Sequence, residues 1–349
     1  MTLRRPFAPG SPDGRLVFGH ASFYIWLVNQ PNLWGTRMRI VMTGATGGIG
    51  LAAAKRLLAE PKVSLIVGAR APDRLPADLA GRLEARSLDL ASLASVEAFA
   101  ATFADDPEID VLILNAGIQN VSDATSADGF ELSFAVNHLA HHLLIRALLP
   151  HLARNGRIVL TASGTHDPDE DTGLPPPRHI DAAKLAWPKQ DPDLDPRRMT
   201  RGRRAYTASK LANVMTAREL GQRRPDLTTV ALDPGFTPGT GLARDYPGPA
   251  GLIFRFILPR LVRRTARVST PENSGRLLAA LATDERYAGL RGRYMAVRGE
   301  ALIETRPSAV AHDDALAARL WEDSARLAPL RTAPPQVRHE PTPVAAGRG

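Results

Sequence analysis

Residues 39–50 read Arg-Ile-Val-Met-Thr-Gly-Ala-Thr-Gly-Gly-Ile-Gly, a short apolar strand that runs through a glycine-rich turn into a helix. Gly44, Gly48 and Gly50 fall at a Gly-x3-Gly-x-Gly spacing. Glycine permits the tight turn and lets backbone N–H groups approach a pyrophosphate. The helix that follows points its positive end at the same charge. Glycine triplets occur in ordinary turns, but between a strand and a helix this one reads as a phosphate cradle. The alternation continues along the chain. It predicts helix 49–59, strands 63–67 and 83–90, helix 96–103, strand 111–114, a long helix over 129–154 and strand 157–160. Helix 206–223, strand 228–232, helix 271–283, strand 293–297 and a last helix over about 308–327 follow. Short apolar strands alternating with helices predict an α/β fold, a single doubly wound parallel sheet of about seven strands with helices on both faces.

The chain of 349 residues contains no cysteine, which excludes disulfides, Cys-ligated zinc, iron–sulfur clusters and thiol catalysis. No run of apolar residues is long enough to suggest a spanning helix. The formal charge of +8 raises the question of a nucleic-acid or membrane partner. Much of it lies at the ends: four Arg against one Asp in 1–37, and three Arg against one Glu in 329–349. No nucleic-acid-binding motif accompanies it, so no nucleic-acid partner is expected. Met38 opens the first strand and is the expected start, with 1–37 a loosely packed extension. A catalytic domain is expected over 38–328 and a disordered, proline-rich tail over 329–349. With no secretory cleavage pattern, a cytoplasmic location is expected.

Four more strings follow the glycine turn in order. Asn115-Ala116-Gly117 ends strand four, Asn137 lies on the long helix, Ser163 follows strand five, and Tyr206-x3-Lys210 opens the next long helix. With five Tyr and five Lys in the chain, a chance Tyr-x3-Lys is rare. Together with Thr43-Gly44-x3-Gly48-x-Gly50, the set resembles the short-chain dehydrogenase/reductase family across 38–327, and the resemblance implies a Rossmann-type sheet. The chemistry is also legible from the residues. Reducing a carbonyl by hydride needs an acid for the developing alkoxide. Tyr206 can supply it if a cation lowers its pKa, and Lys210, four residues on, shares its helix face. Ser163 can hydrogen-bond the substrate oxygen. The resemblance adds that Lys210 holds the ribose hydroxyls and that Asn137 marks a helix irregularity with a water relay to Lys210. It also implies cofactor contacts from Gly44, Thr46, Gly47, Gly48, Ile49, Gly50, Asn115, Ala116, Gly117, Tyr206, Lys210, Pro234 and Gly235, with Thr237 or Thr240 at the nicotinamide amide or the pyrophosphate.

The end of strand two separates NAD from NADP. An acid there bonds the ribose 2′-OH, whereas Arg accommodates a 2′-phosphate. The chain reads Val67-Gly68-Ala69-Arg70, so NADP(H) is expected, with Arg70 at the phosphate. Asp73 is expected to cap a short helix after Pro72. Asp89-Leu90 resembles the family's adenine contacts.

The insert 165–203 between Ser163 and Tyr206 is rich in Pro and Asp. It is expected to form a flap beside the site, too polar for a core. Residues 236–268 are expected to lid a small-molecule substrate. Arg260, Arg263, Arg264 and Arg267 leave peripheral membrane contact as an alternative, although Pro259 interrupts the amphipathic pattern. Asp128-Gly129-Phe130-Glu131, the long insert and Leu320-Trp321-Glu322 resemble the retinol dehydrogenase and protochlorophyllide reductase-like members, which implies an apolar substrate. The main expectation is an alcohol/carbonyl oxidoreductase. The alternatives are a reductase of a conjugated C=C bond, which the missing cysteine weakens, and a non-catalytic NADP-binding regulator. His138 and His142 stand four apart but lack a third ligand, so no metal is expected. Self-association is left open.

Overall fold

The computed structural model describes residues 37–238 and 267–331. Eight strands form one sheet in the order β3-β2-β1-β4-β5-β6-β7-β8. They are β1 (Met38–Thr43), β2 (Val63–Ala69), β3 (Glu84–Ser87), β4 (Ile109–Leu114), β5 (Leu152–Thr161), β6 (Thr228–Asp233), β7 (Arg291–Arg298) and β8 (Ala301–Glu304). The first seven are parallel, as expected. The eighth exceeds the count of about seven. The chain turns at Gly299 (φ +59°) and pairs β8 antiparallel to β7, with Met295 opposite Glu304. Ala301–Glu304 is a largely exposed edge of only four residues, too short for periodicity to reveal it.

Alternate strand residues feed two cores. Ile40 and Met42, Val111 and Ile113, and Val230 and Leu232 face one side. There they meet α1 (Gly48–Leu57) and α7 (Pro271–Thr283). Val41, Leu112, Leu114, Ile158, Leu160 and Ala231 face the other side. They are covered by α2 (Leu93–Ala101), α3 (Leu132–Phe134), α4 (Ala140–Leu148), α6 (Arg198–Arg223) and α8 (Asp314–Leu327). Both faces being dry explains why the strands read as continuous apolar runs.

The long helix expected over 129–154 is shorter and irregular. Gly129 is a turn residue at φ +81°, and the Glu131 carboxylate caps α3 by accepting the Ser133 and Phe134 N–H groups. A π-helical segment, Ala135–Leu139, joins α3 to α4. The helix ends before Pro150, and the chain re-enters the sheet at Leu152. α6 begins at Arg198, eight residues before the expected start. Those residues are polar, and tertiary contacts hold them: a Cβ on Gly202 would lie 2.3 Å from the Asn120 carbonyl oxygen, and Arg201 pairs with Asp123 at 2.9 Å. Asp73 sits inside the short 3-10 turn Pro72–Arg74, not at its cap.

The insert departs from the expected polar flap. Its short helix α5 (Ala182–Ala186) places Ile180, Ala182, Leu185 and Ala186 in the core under α8. Most of the expected lid, including Thr240 and the Arg260–Arg264 cluster, lies outside the described residues, as do the extension 1–36 and residues 332–349.

Candidate functional site

The strand order reverses between β1 and β4, so a crevice opens beyond their carboxyl ends. The glycine turn lies on one side of it and Asn115-Ala116-Gly117 on the other. Gly44 has φ +71°, and a Cβ on it would lie 2.7 Å from Ala116 Cα, so only glycine allows the two loops to close. A Cβ on Gly50 would lie 1.9 Å from the Gly44 carbonyl oxygen, which brings α1 down onto the turn. Thr46 and Gly47 are exposed at the rim, and a Cβ on Gly47 would meet nothing within 4 Å. Among the described residues no side chain caps α1, and its first turn contains no acid. Backbone donors facing open space at a helix N-terminus fit a pyrophosphate.

A buried polar network fixes the far side of the crevice. Thr43 Oγ1 accepts the N–H groups of Asn115 and Ala116, each at 3.1 Å, and lies 3.0 Å from His141 Nε2. His141 Nδ1 lies 3.1 Å from the Asn137 carbonyl, which can only accept, so Nδ1 carries the proton and Nε2 accepts from Thr43. Burial brings the His141 pKa down to about 4, so the ring is neutral at physiological pH. Asn137 sits in the π-helical segment. Its Oδ1 accepts the Ile118 N–H at 2.8 Å, and its Nδ2 donates to the Ile118 carbonyl and to Ser209 Oγ, each at 2.9 Å. Asn115 Nδ2 donates to the Gly44 carbonyl at 3.1 Å.

Lys210 reaches this network from α6. Its Nζ donates to the Thr161 carbonyl at 3.0 Å and lies 5.7 Å from the Tyr206 ring centre. A Cβ on Gly117 would lie 3.3 Å from Lys210 Nζ and 3.4 Å from Asn137 Oδ1, so the exposed Gly117 backbone covers both. Burial lowers the Lys210 pKa to about 8, and Asp233 at the end of β6 opposes the shift. Tyr206 is buried. Ser163 follows β5, and its Oγ accepts the Thr165 N–H at 3.3 Å. α6 packs on β5, β6 and the Gly164–His166 turn, which brings the Tyr206 and Lys210 face to the crevice side of the sheet.

The peripheral residues sit as follows. Arg70 directly follows β2, is exposed, and has no side-chain partner among the described residues. The exposed Asp89 closes a turn by accepting the Ala91 N–H at 3.0 Å, while Leu90 packs partly buried on the core. Pro234 and Gly235 form the turn after β6, with Gly235 at φ +73°, and the buried Thr237 donates to the Gly235 carbonyl at 3.1 Å. His138 and His142 enter the core: His138 Nε2 meets Ser324 Oγ at 2.8 Å, and the His142 ring lies 4.5 Å from Trp321.

The model of the short chain dehydrogenase family matches residues 38–168. Human retinol dehydrogenase 13 is 34% identical over 317 residues, covering 87% of this chain and 88% of that protein. The chloroplastic protochlorophyllide reductase of Chlamydomonas reinhardtii is 31% identical, covering 83% and 77%. Among solved structures, an uncharacterised protein from Mycobacterium paratuberculosis superposes with a TM-score of 0.59 at 29% identity, covering 84% of this chain and 94% of that one. The chain belongs to the short-chain dehydrogenase/reductase family and is an oxidoreductase of that family.

Several site residues escaped sequence reasoning. His141 acts through buried hydrogen bonds, as does the hydroxyl of Thr43, which the sequence shows only as part of the glycine motif, and the only histidine pair four residues apart is 138/142. Thr161 contributes a backbone carbonyl, which has no sequence signature. Asp233 looks like an ordinary strand end until the fold sets it near Lys210.

Proposed function

We propose that this chain is an NADP(H)-dependent oxidoreductase that interconverts a carbonyl and an alcohol on an apolar small molecule, with Tyr206 as the acid/base. The observation that carries this reading is the buried Lys210 cation beside the Tyr206 ring, held on the Thr161 carbonyl. A bound nicotinamide supplies the hydride. The glycine turn and the α1 N-terminus hold its pyrophosphate, and Lys210 takes the ribose hydroxyls. Ser163 Oγ already accepts from Thr165, so its own hydrogen is available to the substrate carbonyl oxygen. Tyr206 gives its proton to that oxygen as negative charge develops, and Lys210 stabilises the phenolate left behind. The exposed Arg70, with Ala69 rather than an acid at the strand end, favours a 2′-phosphate.

Turnover across a panel of aldehydes, ketones and enones, with NADPH and NADH, tests the reading. NADPH-dependent carbonyl reduction is expected, lost in Tyr206→Phe with cofactor binding retained; undiminished turnover in that variant removes Tyr206 from the role. Arg70→Ala is expected to cut the NADPH preference in kcat/KM by about tenfold or more, the value of one charge-assisted contact. The protochlorophyllide reductase relative favours one second reading, reduction of a conjugated C=C bond, and turnover confined to the enones would establish it.

A further inference from the structure

The turn that carries Ser163 is held from a strand two places away in the sheet. Arg298 closes β7. Its Nη1 donates to Asp233 Oδ2 at 2.9 Å and its Nη2 to Glu170 Oε1 at 2.8 Å. Asp233 closes β6, and Glu170 lies in the insert seven residues beyond Ser163. The two carboxylates converge on one point of the backbone: a Cβ on Gly164 would lie 2.3 Å from Glu170 Oε2 and 3.3 Å from Asp233 Oδ2. The residue after Ser163 is therefore pinned against two acids, and Arg298 is the group that bonds to both. Without a cation between them, two carboxylates this close repel. A second tie runs from the same strand. His166 Nδ1 donates to the Ser163 carbonyl at 2.6 Å, its Nε2 accepts the Ser308 N–H at 3.2 Å, and its ring stands edge-on to Tyr294 of β7. Burial works against the Arg298 charge, but the carboxylates outweigh it and its pKa rises.

We propose that Arg298 is a positioning residue that, by bridging Asp233 and Glu170, fixes the Ser163 turn and limits the negative charge that reaches Lys210. The proposal rests on the roles given above to Ser163 and Lys210. The titratable groups facing Lys210 are Tyr206 on its own helix, His141 on α4 and Asp233 on β6. Those facing Arg298 are Asp233, Glu170 and Tyr294, with Arg267 3.7 Å from the other Glu170 oxygen. Removing Arg298 frees the turn and leaves Asp233 less neutralised. Lys210 then keeps its proton to higher pH.

The test compares Arg298→Gln, Arg298→Lys and Glu170→Gln in the full chain. In Arg298→Gln, kcat is expected to fall about 100-fold, as for a misplaced reacting group, while the KM for NADPH changes less than about twofold. The alkaline limb of its kcat profile is expected to move up by about half a pH unit, and Arg298→Lys to recover much of both. Glu170→Gln is expected to lower kcat and leave the limb in place, because Asp233 keeps its partner. Wild-type kcat and limb in Arg298→Gln overturn the proposal, as does equal loss in the Gln and Lys variants with the limb unmoved. Should Arg298→Gln not fold, Glu170→Gln decides, and wild-type kcat there overturns it. Amide hydrogen exchange over residues 163–170 is read without substrate and is expected to quicken about tenfold in either Gln variant. Unchanged exchange counts against the clamp. Faster exchange in a chain whose wild type reduces no carbonyl upholds the clamp and overturns the reading of the reaction.

Discussion

Thr43 shows how much one hydroxyl can join. It ties β1 to the loop after β4 and, through His141, to the π-helical segment that holds Asn137. Thr43→Val keeps the shape but strands two N–H groups and a ring nitrogen, each worth about 1–3 kcal/mol when buried. A loss of about 3 kcal/mol or more in urea unfolding is expected, with weaker cofactor binding by titration fluorescence. His142 is the opposite case. Both ring nitrogens are buried with no partner among the described residues, and burial lowers its pKa well below the usual value. His142→Leu is expected to stabilise the fold by about 1–3 kcal/mol at pH 7, read in the same unfolding assay. Burial also brings His138 to about 3 and His141 to about 4. Between about pH 4 and 6.5 the unfolded chain binds protons that the folded chain refuses, so stability falls as pH falls, by up to about 1.4 kcal/mol per unit per histidine. Burial pushes Glu131 up to about 7, which acts in the other direction between its ordinary value and 7. Three histidines outweigh one glutamate, so the midpoint urea concentration is expected to be lower at pH 5 than at pH 7. A flat profile would mean that the histidines are not buried as neutral rings.

Among the elements, α1 is set by what it packs against as much as by its own sequence. A Cβ on Gly275 of α7 would lie 2.5 Å from Ala52 Cβ and 2.8 Å from the Ile49 carbonyl oxygen, so the two helices cross at backbone contact. Gly275→Val is expected to push α1 outward at a cost of about 1–3 kcal/mol. Because α1 carries the glycine turn, NADPH affinity should fall with stability. A variant that loses stability but binds NADPH normally would separate the helix crossing from the cradle. The same coupling explains where element boundaries were legible. Helix 271–283 was readable to the residue because a Thr270 cap, Pro271 and an apolar stripe agree. The start of α6 was not, since Arg198–Ala205 is polar and is held by Asn120, Val121 and Asp123, some eighty residues earlier in the chain. The long helix stops short of the expected 154 because Pro150 and Leu152 return the chain to the sheet.

The whole described molecule is one sheet between two apolar cores, closed on one side by α8. Leu320 and Trp321 are buried there against α6 and α4, Ser324 meets His138, and Arg223 stacks over the Trp321 ring at 5.2 Å. Truncation after His312 removes α8 and uncovers the apolar side chains of α4 and α6 that Leu320 and Trp321 cover, at about 1.5–3 kcal/mol for each buried apolar side chain lost, so a marked fall in Tm is expected by circular dichroism. An unchanged Tm would show that α8 contributes little to the fold. The sequence by itself determined the strand–helix alternation, a single parallel sheet covered on both faces and the strings Thr43–Gly50, Asn115–Gly117, Ser163 and Tyr206–Lys210, while the order of the strands came from the tertiary structure. Local periodicity, glycine's backbone freedom and the i, i+4 geometry of a helix act over a few residues, so they can be read from a few residues. Only the tertiary structure decided the Thr43–His141–Asn137 network, the carbonyl that holds Lys210, the Arg298 bridge and the burial of the insert beneath α8. Those depend on hydrogen bonds, ion pairs and packing between residues tens to more than a hundred positions apart, and on a loss of solvent that moves the Lys210 pKa to about 8.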